Sequence, residues 1–441
     1  MATMRYPVNI SKSYLLKLSI PIFFSNISVP LVGLVDTALM GHLDGAKYLA
    51  AVGISTSVMT MILWSFGFLR MGTVGLVSQF LGKGDYTEVV RTIVRNIVIA
   101  SFVSVVIILL KNPIIQTIIY FFNPTDATQI LIKQYINIRI FSAPAELIIY
   151  VLIGFFLGLQ MTKTSSTIVI LFSILNIIFS SYLVLKLELG IYGVAFGTVI
   201  SSYITAAIFL IYSYFFIINK FKIIPRLKKI YVKKKIYKLF SINFDIFLRT
   251  FFLTFAFLWV TFQSAKLGED YLAINIILMQ FITLSAFFLD AYAFSTEGVV
   301  GFAIGRKTKK GFLSVTKNSV ELSFYSSLII SILFLFYFKF IINSLTDLEY
   351  IRYLAYGFFI WVIIIPPVSS FCYQLDGIFI GASQTKELRN CMIISVLFFL
   401  IISHYLIQLL HNNGLWLSFL LFMIMRALTL RIFYYKILKK F

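Results

Sequence analysis

Apolar runs of about twenty residues recur roughly twelve times along this chain. They lie at about 14–40, 48–80, 92–110, 133–158, 166–186, 191–217, 240–264, 271–303, 317–342, 354–381, 390–410 and 414–435. Each is long enough to cross the ~30 Å hydrocarbon core of a bilayer as a helix. A helix also satisfies its own backbone N–H and C=O groups where no water can do so. Charged residues make up 12% of the chain, against about 25% in soluble domains. The expected fold is an all-α polytopic membrane protein with about 12 transmembrane helices. The 47 Phe and 25 Tyr suit lipid-facing surfaces and interfacial belts.

The formal net charge is +21. In a soluble chain that excess would point to nucleic acid. Here the basic residues fall between the apolar runs, so no nucleic-acid partner is expected and the charges serve to orient the chain. One set of connections carries Arg5, Lys12 and Lys17, then Lys83, Arg91 and Arg95, then Lys163. It continues through the run Lys220 to Lys238, Arg306 to Lys310, Lys386 with Arg389, and Arg431 to Lys440. The alternate connections, around His42 and Asp44, Asp126, Glu188, Glu269 and Asp270, Asp347 and His411, are lean or mixed. The positive-inside rule makes the basic side cytoplasmic. Both termini are then inside, which requires an even number of spans. Met1 to Lys17 runs directly into the first span, and no cleavable signal peptide is expected. Cys372 and Cys391 imply neither a disulfide framework nor a metal site.

The chain repeats itself. Tyr48-Leu-Ala returns as Tyr271-Leu-Ala, an offset of 223 residues. Thr73-x-Gly75-x-Val77-x4-Gly82-Lys83 returns as Thr296-x-Gly298-x-Val300-x4-Gly305-Arg306 at the same offset, and Pro144 pairs with Pro367. Gly154-x-Phe156-x-Gly158-x3-Thr162-Lys163 pairs with Gly377-x-Phe379-x-Gly381-x3-Thr385-Lys386. Gly190 pairs with Gly414 at 224, as one inserted residue gives. Two six-helix bundles in tandem follow, and six being even, both copies share one orientation: a parallel repeat of the secondary-transporter kind. The expected division is 1–219 for the first lobe, 220–238 for a cytoplasmic link with nine basic residues, and 239–441 for the second lobe. Gly154/Gly158 and Gly377/Gly381 read as small-residue faces for close helix packing. Gly82-Lys83-Gly84-Asp85 and Gly305-Arg306 read as helix stops at the cytoplasmic surface.

The apolar runs contain few carboxylates: Asp36, Glu146, Asp290, Glu297 and Asp376. A central Asp costs roughly 2.5–3.5 kcal/mol in a spanning helix, and such groups usually face a bundle interior or a water-filled path. Their repeat mates are Trp259, Ser369, Gly67, Val74 and Ile153 in that order, so packing is duplicated while charge is not. Asn176 and Ser180 lie one turn apart on one helix face, and Thr198 is in the next span. With Asp36 they make an oxygen cluster suited to a proton, a water or a sodium ion, or else hydrogen-bonded glue between helices. Asp290 and Asp376 are candidates for cation binding or for pairing with Arg389 or Arg249, and Glu297 for a helix-end group. His42, His404 and His411 have no metal-motif spacing, and no Ser/His/Asp or Cys/His set supports catalysis. No enzyme, cofactor or metal is expected.

Leu34-Val-Asp36-Thr-Ala-x-Met-Gly-His42-Leu resembles the first helix of multidrug and toxic compound extrusion (MATE) transporters, in the variant typical of the DinF branch. The resemblance runs nearly end to end, through Phe68-Leu-Arg70-Met-x-Thr73-x-Gly75, Asn243-x-Asp245-Ile-x-Leu-Arg249-Thr, Leu375-Asp376-Gly-x-Phe-Ile-Gly381-Ala, Arg389-Asn390 and Leu415-Trp-Leu. It implies a monomeric antiporter of a bacterial cytoplasmic membrane that expels cationic, amphipathic small molecules in exchange for protons or sodium ions. It further implies that Asp36 binds the coupling cation, with Asn176 and Thr198 beside it. The family's second acid, one turn beyond the Asn, is Ser180 here, which leaves at most one negative charge and favours protonation of Asp36. Phe244 stands where related chains carry Arg. Asp290, Glu297 and Asp376 remain candidates for substrate contact in the second lobe. A flippase or exporter of a lipid-linked or endogenous metabolite is the alternative. It would need a wide cationic groove, and the intramembrane basic groups, mainly Arg70, Arg139 and Arg249, are few.

Overall fold

The computed structural model describes residues 10–41, 46–224, 232–346 and 348–441. His42, Asp44, Asp347, the first nine residues and linker residues 225–231 lie outside the described residues. Among the described residues there is no strand. The helices are α1 (Lys12–Gly41), α2 (Ala46–Ser65), α3 (Phe68–Lys83), α4 (Tyr86–Leu109), α5 (Lys111–Phe122), α6 (Asp126–Arg139), α7 (Ala143–Gly158), α8 (Thr162–Ser181) and α9 (Gly190–Phe216). After the linker come α10 (Lys233–Leu267), α11 (Glu269–Gly305), α12 (Lys309–Leu345), α13 (Glu349–Tyr356), α14 (Phe359–Gly381) and α15 (Thr385–Leu438). Among the described residues, eleven helical segments are long and apolar enough to span a membrane. The last, of 54 residues, is broken at His411 (φ 50°, ψ −128°), which makes two passes of it and twelve spans among the described residues. Large apolar side chains such as Leu109 and Phe336, each 75% exposed, face outward where lipid would cover them.

Residues 24–240 form one compact unit, and residues 241–441 together with residues 10–23 form the other. The division expected from the sequence put the whole N-terminal stretch with the first lobe. The start of α1 belongs with the second because its polar groups are satisfied there. Lys12 pairs with Glu321 at 2.6 Å. The Ile10 carbonyl accepts from Ser314 Oγ at 3.0 Å and from Asn318 Nδ2 at 2.6 Å. Ser19 and Ser295 hydroxyls meet at 2.8 Å, and the Phe23 and Phe288 rings lie 4.2 Å apart.

Within each unit the 223-residue offset is kept down to backbone atoms. A Cβ on Gly154 would strike the Arg70 carbonyl and one on Gly158 the Val77 side chain, 2.8 Å away. In the second unit, Gly377 lies against Ala293 and Gly381 against the Glu297 carbonyl. Ala293 and Glu297 are the mates of Arg70 and Val74, so the α3–α7 crossing is rebuilt as the α11–α14 crossing. These approaches leave no room for a side chain.

The turns repeat as well. Gly84 ends α3 in the left-handed conformation (φ 75°), its N–H returning to Leu81 and Phe80 carbonyls. Asp85 then starts α4 by accepting the Glu88 N–H at 3.0 Å. The mate of Gly84 is Lys307, also left-handed at φ 56°. Gln160 (φ 59°) and Ser383 (φ 49°), another pair at the same offset, turn α7 into α8 and α14 into α15. One break is not repeated: α2 and α3 are separated at Phe66–Gly67, whereas α11 runs straight through the matching position, Asp290.

Candidate functional site in the first lobe

Asp36 lies in the last third of α1 and is 6% exposed. Its Oδ1 is buried without a hydrogen-bond partner. The Ser180 hydroxyl and the Arg139 guanidinium are its electrostatic neighbours. Asn176 Nδ2 donates to Thr198 Oγ1 at 3.0 Å, and Ser180 Oγ donates to Asn176 Oδ1 at 3.3 Å. Thr198 Oγ1 in turn donates to the Val194 carbonyl at 3.2 Å. The structure therefore brings together all four residues singled out in the sequence, from α1, α8 and α9. Gly197 permits this: a Cβ there would run into the backbone and hydroxyl of Ser180, so α8 and α9 touch at the site because residue 197 has no side chain.

Asp36, Asn176 and Thr198 open on a cavity of about 410 Å³ within the first lobe. Trp64, Tyr135, Tyr150 and Phe172 line it with aromatic surface. Ser180 lies behind Asn176, fully buried. A carboxylate at the end of an aromatic-walled cavity can attract a cation to the ring faces and can give or take one proton.

The same cavity holds a pair that sequence reading did not place at the site. Arg139 ends α6, and its Nη1 donates to Glu146 Oε1 on α7 at 2.5 Å and to the Ser142 hydroxyl between them. Both charged groups line the cavity with Asp36. Tyr135, one turn before Arg139, has its hydroxyl 3.2 Å from Thr56 of α2. The signal was the spacing Arg139, Ser142, Glu146, which keeps three polar groups on one helical face.

In the second lobe Asp376 is not open. Its Oδ2 accepts from Arg249 and, at 2.7 Å, from Arg426. Arg249 was an expected partner; Arg426 was not. Its position inside an apolar run marks it by the same insertion cost that marked Asp36. Arg389, the other expected partner, instead pairs with Asp245 at 2.6 Å, where Thr385 Oγ1 also donates at 3.0 Å. Asp290 is half-buried and acts electrostatically on Cys372 and Tyr373. Glu297 is buried in α11 at the close crossing with α14. Among the described residues no three of His, Cys, Asp and Glu lie together as a metal would require. Phe244 is exposed and stacks on Phe247.

Two six-helix repeats, with a polar cluster buried beside a cavity in the first, define a membrane transporter of the tandem-repeat class. The MatE family model matches residues 21–182 and again 246–406, once per repeat, and the chain belongs to that family, whose members are transporters rather than enzymes. It is 34% identical over 413 residues to DNA damage-inducible protein F of Escherichia coli (strain K12), covering 94% of this chain and 90% of that one. It is 26% identical over 304 residues to multidrug resistance protein NorM of Vibrio cholerae, covering 68% and 66%. A MATE transporter crystallised in the straight conformation shares the fold, with a TM-score of 0.88 at 17% identity over 98% of both chains.

Proposed function

We propose that this protein is a secondary antiporter that expels amphipathic, cationic compounds across a bacterial cytoplasmic membrane in exchange for protons, with Asp36 as the coupling group. The observation that carries the reading is the unpartnered, buried Oδ1 of Asp36 at the end of an aromatic-walled cavity. An acid in that position is stabilised by whatever supplies a proton or a positive charge. A relative named for multidrug resistance supports export as the direction of transport. The alternation of basic connections supports cytoplasmic termini.

Facing outside, Asp36 takes a proton. Neutral Asp36 no longer attracts a cation, and α1 repacks against α8 and α9. Pro21 and Pro30 inside α1 each remove a helical N–H and make that repacking easier. Substrate affinity falls and the compound leaves. Facing inside, the proton dissociates and the site again favours a cation. Proton and compound thus bias one two-state element in opposite directions, and they need not occupy the same atoms.

The test is efflux of a fluorescent organic cation from proteoliposomes with a pH gradient and a sodium gradient imposed separately. The pH gradient alone drives efflux by the wild type, and Asp36→Asn removes it while the protein still inserts. Undiminished efflux by Asp36→Asn would overturn the reading.

A further inference from the structure

Asp36 shares its cavity with a fixed positive charge. Arg139 is 8% exposed and donates to Glu146 and Ser142. A guanidinium stays protonated at every accessible pH. The cavity therefore contains two carboxylates, Asp36 and Glu146, and one permanent cation that already engages one of them. Arg139 and Asp36 also act on each other electrostatically. The other titratable or charged neighbours are Tyr135 of α6 and Tyr150 of α7, and Arg70 of α3 acts on Tyr150. From α2, α8 and α9 the cavity receives only the neutral Thr56, Ser173, Asn176 and Thr198 among its polar groups, along with Thr60.

We propose that Arg139 is the residue that makes the Asp36 site selective for a proton over a sodium ion. A sodium ion keeps its full charge and must exchange water for several protein oxygens at once. In this cavity it meets the guanidinium's repulsion, and the second carboxylate that would help to hold it is taken by Arg139. Ser180, which donates to Asn176, offers a neutral hydroxyl and no anionic oxygen. A proton meets the same repulsion but needs no shell of oxygens, so the loss of Glu146 as a ligand costs it nothing. It forms one O–H bond at Oδ1 of Asp36, the oxygen with no partner. The guanidinium thus acts as a tethered cation held where a mobile one would otherwise bind.

This inference rests on Asp36 being the coupling group, and its test reads ion binding rather than transport, so the two can fail separately. Purified protein is titrated with sodium chloride against choline chloride at constant ionic strength and mildly alkaline pH, and thermal stability is measured. A ligand that binds the folded state raises stability in a saturable way. Wild type shows no sodium-specific rise, and Arg139→Lys, which keeps the charge, behaves likewise. Arg139→Gln gains a saturable rise, with an apparent sodium affinity at least about tenfold above wild type. Adding Asp36→Asn to that variant abolishes the rise. If Arg139→Gln is not monodisperse, the Arg139→Gln/Glu146→Gln pair removes both charges together and shows the rise in weaker form. A sodium response in wild type equal to that of Arg139→Gln, or none in a folded variant lacking the guanidinium, would overturn the proposal.

Discussion

The two lobes place different chemistry at matching positions. In the first, Asp36 of α1 faces Ser180 of α8. In the second, the mates are Trp259 and Ser403, and they also meet: Trp259 Nε1 donates to Ser403 Oγ at 3.0 Å. Asn176 and Thr198 hydrogen-bond in the first lobe. Their mates, at offsets of 223 and 224, are Phe399 and Phe422, whose ring centroids lie 5.2 Å apart. Both of these contacts are thus rebuilt with an aromatic residue on at least one side. The reverse holds for Asp376. It is tied to Arg249 and Arg426, while the matching first-lobe positions are Ile153, Asn26 and Ser202. The repeat copies which helices touch, and the proposed mechanism needs only one copy to keep an open acid. A buried carboxylate held by two guanidiniums is a structural lock; one that opens on a cavity can change its charge.

That contrast can be broken at several points. Asp36→Asn should abolish proton-driven export, while Trp259→Phe at the mate leaves export unchanged in the same proteoliposome assay. Asp376→Asn should cost about 3–5 kcal/mol of stability, because it strands two buried guanidiniums. Chemical unfolding in detergent reads this, and a neutral result would put the lock in doubt. Gly158→Ala and Gly381→Ala should each cost about 1–3 kcal/mol by overpacking, with similar losses in the two lobes, since both crossings leave no space for a Cβ. Unequal losses would mean that the crossings are not equivalent. Gly84→Ala forces a side chain into the left-handed conformation and should cost about 1–2 kcal/mol. Lys307→Gly relieves the same strain at the mate and should shift stability by a smaller amount in the opposite direction.

Much of this was readable before any coordinates. Apolar run length marks the spans because lipid leaves the backbone few alternatives, and the shared offset marks the repeat because helix crossings need small residues at fixed places. Asp36, Asn176, Ser180 and Thr198 could be grouped because a costly acid and a one-turn polar pair stand out against apolar sequence. Three things were not legible. The start of α1 belongs with the second unit through contacts such as Lys12–Glu321 and Ser19–Ser295, which are far apart in the chain and follow no repeat. Arg139 is visible as a basic group inside an apolar run, but its place in the Asp36 cavity is decided by how α6 and α7 pack. Arg426 was visible as a charge in an apolar run, but its partner was decided by how α15 packs on α14.

The most direct test of the first lobe's acid as the coupling group is a count of protons released when substrate binds. In lightly buffered detergent solution, at a pH where Asp36 holds its proton in the free protein, binding of an organic cation to wild type should release about one proton, as competition for one carboxylate demands. A pH-indicator dye reads it. Asp36→Asn should release none, and Asp376→Asn, provided it folds, should match wild type. Release undiminished in Asp36→Asn would contradict the assignment.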